Sequence, residues 1–381
     1  MFYIKQARTK KALIIFVILS CLVLSGCMGP RGWPGIASEG EKLYVGTMGG
    51  TVVALNPEGG RLWEWEPPGE QGGSMIACSG GGQFRAGLLY GVPVVADGVV
   101  YVSSYNGRVY AVDTEYRADK WKYDTGSPIA GGVAVANNTV FVGCSDGKLY
   151  ALEANVTTYE GRPKAGFKPF QTDDKIWSTP VVYDGTVYFG SLDQKLYAID
   201  ADTGELKWEF KAQGAIASTP LIVGDVVYIG AFDSRFYALD ADTGEQKWVF
   251  EQADNWFWSQ ALYANGTIYA CSLDHRVYAI EADTGELYSG WAEPFDAGSE
   301  IKSSPVIVGD VLVVATEEGE VFGLDVETGK SKWPNVVDLD AHVLAPIFAS
   351  GGTVYINAQD NRLYTFEGAT GRQNWSVPLS Q

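Results

Sequence analysis

The chain has 381 residues, 46% of them hydrophobic, with 28 basic and 46 acidic side chains and a formal charge of −18. Such an excess of acid repels phosphate backbones and excludes nucleic acid as a partner. Two histidines, His275 and His342, and five cysteines without zinc-like spacing exclude a His-rich metal centre.

In chain order, the first element is not part of a fold. Lys5, Arg8, Lys10 and Lys11 precede an apolar run from Ala12 to Leu24, and the run ends in Leu24-Ser25-Gly26-Cys27. At 13 residues it is shorter than the roughly 20 that a spanning helix needs, so residues 1–26 are predicted to be a signal peptide. Leu-Ser-Gly-Cys resembles the lipobox of bacterial lipoproteins, which implies that Cys27 is the acylated first residue of the mature chain. Residues 27–32 are then a short anchored linker. The mature chain keeps 24 basic and 46 acidic residues, a charge of −22. That charge gives no attraction to anionic lipid, so the acyl group must hold the protein at the membrane.

Residues 33–381 are predicted to form one domain built from a repeat. One unit reads Ser218-Thr219-Pro220-Leu221-Ile222, Val227-Tyr228-Ile229-Gly230, Phe236-Tyr237-Ala238-Leu239-Asp240, Asp242-Thr243-Gly244 and Lys247-Trp248. Anchoring on the aromatic or apolar residue of the second run gives Tyr44, Tyr101, Phe141, Tyr188, Tyr228, Tyr269, Val313 and Tyr355, eight units about 40 residues apart. Four short β-branched and aromatic runs per unit, separated by turn residues, predict an all-β, eight-bladed β-propeller of four-stranded antiparallel blades. Asn106-Gly107 and Asp146-Gly147 predict two-residue hairpins between the second and third strands. Gly204, Gly244, Gly285, Gly329 and Gly371 sit where the third-to-fourth turn wants a left-handed residue. Pro180, Pro220, Pro305 and Pro346 are read as lying in the first strand, tolerable if that strand is an edge lining an axial channel.

The Tyr-x-Gly, Leu-Tyr-Ala-Leu-Asp, Asp-x-x-Thr-Gly and Trp pattern resembles the propeller repeat of the pyrroloquinoline-quinone (PQQ) type. The resemblance implies that Trp121, Trp208, Trp248, Trp333 and Trp375 pack between blades. Trp63 or Trp65 would serve in unit one and Phe170 would substitute in unit three, while Trp291 of unit six is displaced in sequence.

Stereotyped Asp-x-x-Thr-Gly turns belong to every blade and mark no unique site. The blade-to-blade links vary, and they share the opposite axial face with the second-to-third turns, so the search for function goes there. Candidates for a partner or ligand surface are Trp177, Asp254, Asn255, Trp256, Trp258, Lys302 and His342, aromatic rings with a few charges. Trp177 and Trp258 fit equally well as fillers of a wide channel, and Lys302 and His342 as solvated rim residues. The Gly-rich stretch 67–87 lies on the same face, either as a partner loop or as an excursion. Asp146, Asp193, Asp233, Asp274 and Asp360 each precede a Lys or Arg by two residues and are read as solvated charges. Of the remaining cysteines, Cys144 and Cys271 are read as small buried residues, and Cys78 falls in the Gly-rich stretch.

Two functions follow from the resemblance. Lipobox, eight repeats, matching length and the absence of a Ser-His-Asp set resemble the family of the outer-membrane assembly lipoprotein BamB. This implies a non-catalytic envelope scaffold whose partner is a β-barrel assembly component, and Met28 after Cys27 fits outer-membrane sorting in a two-membrane host; in a single-membrane host the same chain would be a lipoprotein on the outer surface of the cell membrane with some other partner. The alternative is a PQQ-dependent dehydrogenase or a PQQ-sensing propeller. The adjacent-cysteine pair of those enzymes is missing here and the chain is much shorter, so no cofactor is predicted.

Overall fold

The computed structural model describes residues 32–68 and 88–380. The lipid-anchor reading of Cys27, the Gly-rich stretch from residue 69 onward and Cys78 lie outside the described residues. Among the described residues thirty-two strands form eight separate four-stranded antiparallel sheets, each a simple meander of consecutive strands. The blades span 36–65, 94–124, 133–171, 181–211, 221–250, 262–296, 306–338 and 348–378.

The repeat explains the blade strand by strand. In blade 4 the strands are Val181–Tyr183, Thr186–Gly190, Lys195–Asp200 and Leu206–Lys211. Their register aligns Val181, Tyr188, Ala198 and Trp208 in one row. Because strand side chains alternate with period two, the row puts the large Tyr and Trp on one face, with Ala between them leaving room. Blade 5 repeats the row as Leu221, Tyr228, Ala238 and Trp248.

Eight hydrophobic clusters each straddle one blade-to-blade interface. The eighth joins Ile36, Leu43, Val45 and Val53 of blade 1 to Tyr355, Leu363 and Leu379 at the other end of the chain. The ring therefore closes by packing, with no strand shared between its first and last blades. Asn357 adds a polar latch, donating from Nδ2 to Pro34 O at 2.8 Å and Gly46 O at 2.9 Å.

Between blades the tryptophans act as expected. The indole N–H of Trp208 donates to Ala241 O of the next blade at 2.8 Å, and the Tyr188 hydroxyl reaches the same oxygen at 3.1 Å. Trp248 and Tyr228 treat Ala282 O likewise, and Trp333 donates to Gly368 O. Trp291 makes the same bond to Val326 O at 2.9 Å despite its displacement in sequence. Blades 3, 6 and 7 have fourth strands of only two residues, so in blades 6 and 7 the ring comes from the preceding loop. In blade 3 the substitute is Phe167, not Phe170: Phe167 lies under Gly204, where tryptophans lie under the equivalent glycines, whereas Phe170 packs on Phe189 and Tyr197. In blade 1 the register opposite Ala54 selects Trp63.

Three other expectations are corrected. The second-to-third turns are three-residue loops: Ser191 N donates to Lys195 O, Gln194 N to Ser191 O, and only Gln194 has positive φ, at 76°. A single left-handed position is less demanding than a two-residue hairpin, which is why Gln194, Ser234, His275 and Asn361 stand where other blades have Gly107 or Gly147. Pro180, Pro220 and Pro305 stand one residue ahead of the first strand and Pro346 two ahead, so none of them interrupts a ladder. The turn acids are braces rather than solvated charges. Asp193 accepts the Lys195 backbone N–H at 3.0 Å and the Tyr197 hydroxyl at 2.7 Å, and Asp146, Asp233, Asp274 and Asp360 repeat the pair.

Candidate functional site

The first strands and the links before them surround an axial channel of about 480 Å³ to which all eight blades contribute. Its wall is mostly apolar because first-strand residues such as Ile36, Val94, Val133, Val181 and Val306 line it together with small link residues such as Gly91, Ala130 and Ala217. One link position per blade sits at its mouth: Tyr90, Ala130, Trp177, Ala217, Trp258, Lys302 and Leu344 occupy it in blades 2 to 8. The residue before each is buried and apolar, from Leu89 and Ile129 to Ile301 and Val343, and anchors the link to the ring. The backbone fixes each link over its own blade's turn, as in the bonds from Leu192 N to Lys175 O, Leu273 N to Trp256 O and Gln359 N to His342 O.

Trp177, Trp258 and Lys302 accordingly line the channel together. Trp256 and His342 stand two residues before the mouth position, Trp256 half-buried and His342 exposed. The aromatic candidates are joined by a ring that the sequence reading passed over. Phe232, at the tip of blade 5's second-to-third turn, stacks on Trp256 with centroids 4.4 Å apart and on Trp258 at 5.4 Å, its plane nearly parallel to both. Trp258 meets Trp33 edge-on at 6.1 Å, Trp33 meets Tyr90 at 4.6 Å, and Tyr90 meets Tyr105 at 5.0 Å. Six rings thus form a continuous aromatic ridge across the mouth, from blade 5 to blade 2. Burial, with a smaller contribution from neighbouring Tyr105, pushes the Tyr90 phenol up to about 12.

The charged candidates do different work. Burial alone would lower the Lys302 ammonium, but Glu317 at 2.6 Å and Glu300 at 3.1 Å reverse this and hold its pKa above the ordinary lysine value. Its charge is spent on those carboxylates. Asp254 is exposed, pairs with Arg276 at 3.0 Å, and its backbone N–H donates to Asp274. Asn255 bridges link and turn through Leu273 O at 3.3 Å. His342 is exposed, with Nδ1 3.0 Å from Glu317 O. Cys144 and Cys271 are buried, and burial raises both thiols, Cys144 despite its contact with Thr125. Among the described residues no group of three or more His, Cys, Asp or Glu could hold a metal ion.

The two axial faces are thus distinct. On the turn face, Asp200 accepts from the backbone N–H groups of Asp202 and Thr203 and from the Thr203 hydroxyl, and Asp240 repeats the arrangement. These carboxylates are consumed by their own turns.

Comparison with known proteins places this architecture. The family described as outer membrane protein assembly factor BamB matches residues 27–156, 170–287, 253–337 and 273–381. An outer membrane protein assembly factor BamB of Shewanella oneidensis is 32% identical over 133 residues, 33% of this chain and 29% of that protein. A protein of the same name from Burkholderia pseudomallei is 26% identical over 155 residues, 39% of this chain and 32% of the relative. The matched stretches therefore span about a third of these relatives. A quinohemoprotein alcohol dehydrogenase of Comamonas testosteroni is 29% identical over 136 residues, 31% of this chain and 19% of the enzyme. The crystal structure of BamB from Moraxella catarrhalis superimposes with a TM-score of 0.68 at 18% identity, over 87% of this chain and 92% of that one, a likeness of fold. Because the family match runs through both halves of the repeat array and reaches the last residue, the chain belongs to the family of outer membrane protein assembly factor BamB.

Proposed function

We propose that this protein is a non-catalytic scaffold of the cell envelope, anchored to a membrane through acylated Cys27, which assists outer-membrane protein assembly by docking a β-barrel assembly component on its link face. The observation that carries the reading is the aromatic ridge: Trp256, Phe232 and Trp258 in one stack, continued by Trp33, on the face whose links differ from blade to blade. Half-buried aromatic rings held rigidly by neighbours are the anchors that protein interfaces favour. The relatives named as assembly factors support the same direction.

The quinoprotein alternative fares worse against the channel. PQQ is a flat tricarboxylate that calls for several cationic partners. Among the described lining residues, Lys302 is the only charged side chain, and it is committed to Glu300 and Glu317. The residues present do not fit the cofactor.

The test is a crosslinking pull-down from intact cells with wild type and with Trp256→Ala/Trp258→Ala. Wild type is expected to retain β-barrel assembly proteins, identified by mass spectrometry, and the folded double variant to lose them. Equal recovery by both would remove the ridge from the account.

A further inference from the structure

The N-terminal edge of the described chain lies at the channel mouth, and it is fixed there. Gly32 packs so tightly on blade 2 that a Cβ would fall 2.0 Å from Leu89 O. Trp33 is wedged between Tyr90 and Trp258, Pro34 O accepts from Asn357 Nδ2, and Gly35 O accepts from Gly46 N at 3.3 Å. Leu89, Tyr90 and Trp258 are all link residues, so the chain enters the ring on the link face.

Cys27 precedes Gly32 by five Cα–Cα steps. Whatever their conformation, those steps reach at most about 18 Å. We infer that the link face, with its channel mouth and aromatic ridge, is the side turned toward the lipid surface, held within about 20 Å of the head groups. This rests on the reading of Cys27 as the acylated residue. With the turn face toward the membrane, the tether would have to pass the full thickness of the ring. A five-residue second strand alone spans about 17 Å, before the turns at either end are added, so the reach is already exhausted.

Charge fixes how close the face comes. Asp173, Asp174, Asp254 and Glu318 are exposed on this side, and they oppose anionic head groups. The ridge rings, apart from Tyr105, are half-buried or buried rather than projecting. The face therefore stands over the head groups without sinking into them, and the channel mouth opens into the gap.

Energy transfer tests this. The mature chain is coupled through Cys27 to maleimide-bearing phosphatidylcholine vesicles, with Cys78 replaced by serine and attachment verified by mass spectrometry. A donor dye is placed through a genetically encoded azide residue at position 175 or 342 on the link face, or at 242 or 283 on the turn face, and an acceptor is carried on the lipid head groups. Transfer is expected to be several-fold more efficient from 175 and 342. A 20-residue Gly/Ser spacer inserted before Gly32 is expected to erase the difference. Equal transfer from both faces with the native tether, or stronger transfer from 242 and 283, would overturn the inference. The coupling is chemical, so this result stands apart from whether cells acylate Cys27, which mass spectrometry of membrane-extracted protein decides separately.

Discussion

Phe232 is sandwiched between two tryptophans that belong to a different blade, and this small fact separates what residues show locally from what they do in the ring. Replacing Trp256 and Trp258 removes the outer rings while leaving Phe257, buried between them, to anchor the link. The expected outcome is unchanged far-UV circular dichroism and a cooperative thermal transition, with partner capture lost. Failure to fold would make the pair core. Titration gives a second residue-scale prediction. Tyr150 and Lys148 hold the Asp146 carboxyl below its usual value against the opposing effect of burial, and turn hydrogen bonds to Thr203 and Thr243 lower Asp200 and Asp240. A depressed carboxylate stabilises the fold above its unfolded value near 3.9 and loses that contribution as pH falls through the lower folded value. Burial first, then nearby carboxylates and tyrosines, raises Tyr101, Tyr228 and Tyr269 to about 12. A raised group contributes stability below its unfolded value near 10 and loses it as pH climbs through the folded one. Denaturant melts should therefore show a plateau between about pH 5 and 10 that falls away on both sides, and absorbance at 295 nm should show these tyrosines ionising after the exposed ones.

At the scale of elements, the contact between tryptophan and turn glycine ties one blade to the next. Gly244 has φ of 74°, and a Cβ there would sit 2.6 Å from the Trp208 ring. Gly244→Ala is expected to cost about 1–3 kcal/mol, read from urea midpoints. Trp208→Phe alone should cost about 1 kcal/mol, because Ala241 O keeps the Tyr188 hydroxyl. Adding Tyr188→Phe leaves that buried carbonyl unpaired, so the double variant should lose more than the sum of the singles, an excess of about 1 kcal/mol. These elements were legible in the sequence because the period repeats them: Tyr188, Ala198, Asp200, Gly204 and Trp208 recur at one spacing, and each recurrence confirms the others. What was not legible lies between repeats. Phe232 stacks on residues of the next blade, Trp33 precedes the first repeat, and Phe167 rather than Phe170 fills a gap measured in space, not in residues. Aligning turn tips would have shown Phe232 and Tyr105 as aromatic among Ser145, Leu192, Leu273 and Glu317. The turn acids were misjudged because the Tyr four residues on, such as Tyr197 after Asp193, accounts for them only once the hairpin is folded.

For the whole molecule, closure is the vulnerable step, since blades 1 and 8 are neighbours in the ring but lie at opposite ends of the array, with no link joining them. Asn357→Ala removes both donors of the latch and is expected to cost about 1–3 kcal/mol. Hydrogen exchange should rise in Ile36–Glu39 and Phe348–Ser350 while blades 4 and 5 keep their protection. A closed ring of like blades leaves the face where they differ as the one proposed for function, and if Cys27 is acylated as proposed, the chain's entry at that face brings it toward the membrane. The most direct test places a photo-crosslinking residue at position 175 or 342 on the link face and at 242 or 283 on the turn face of the full chain in intact cells. Adducts with β-barrel assembly proteins from the link-face positions alone are the predicted result; adducts confined to the turn face would contradict it.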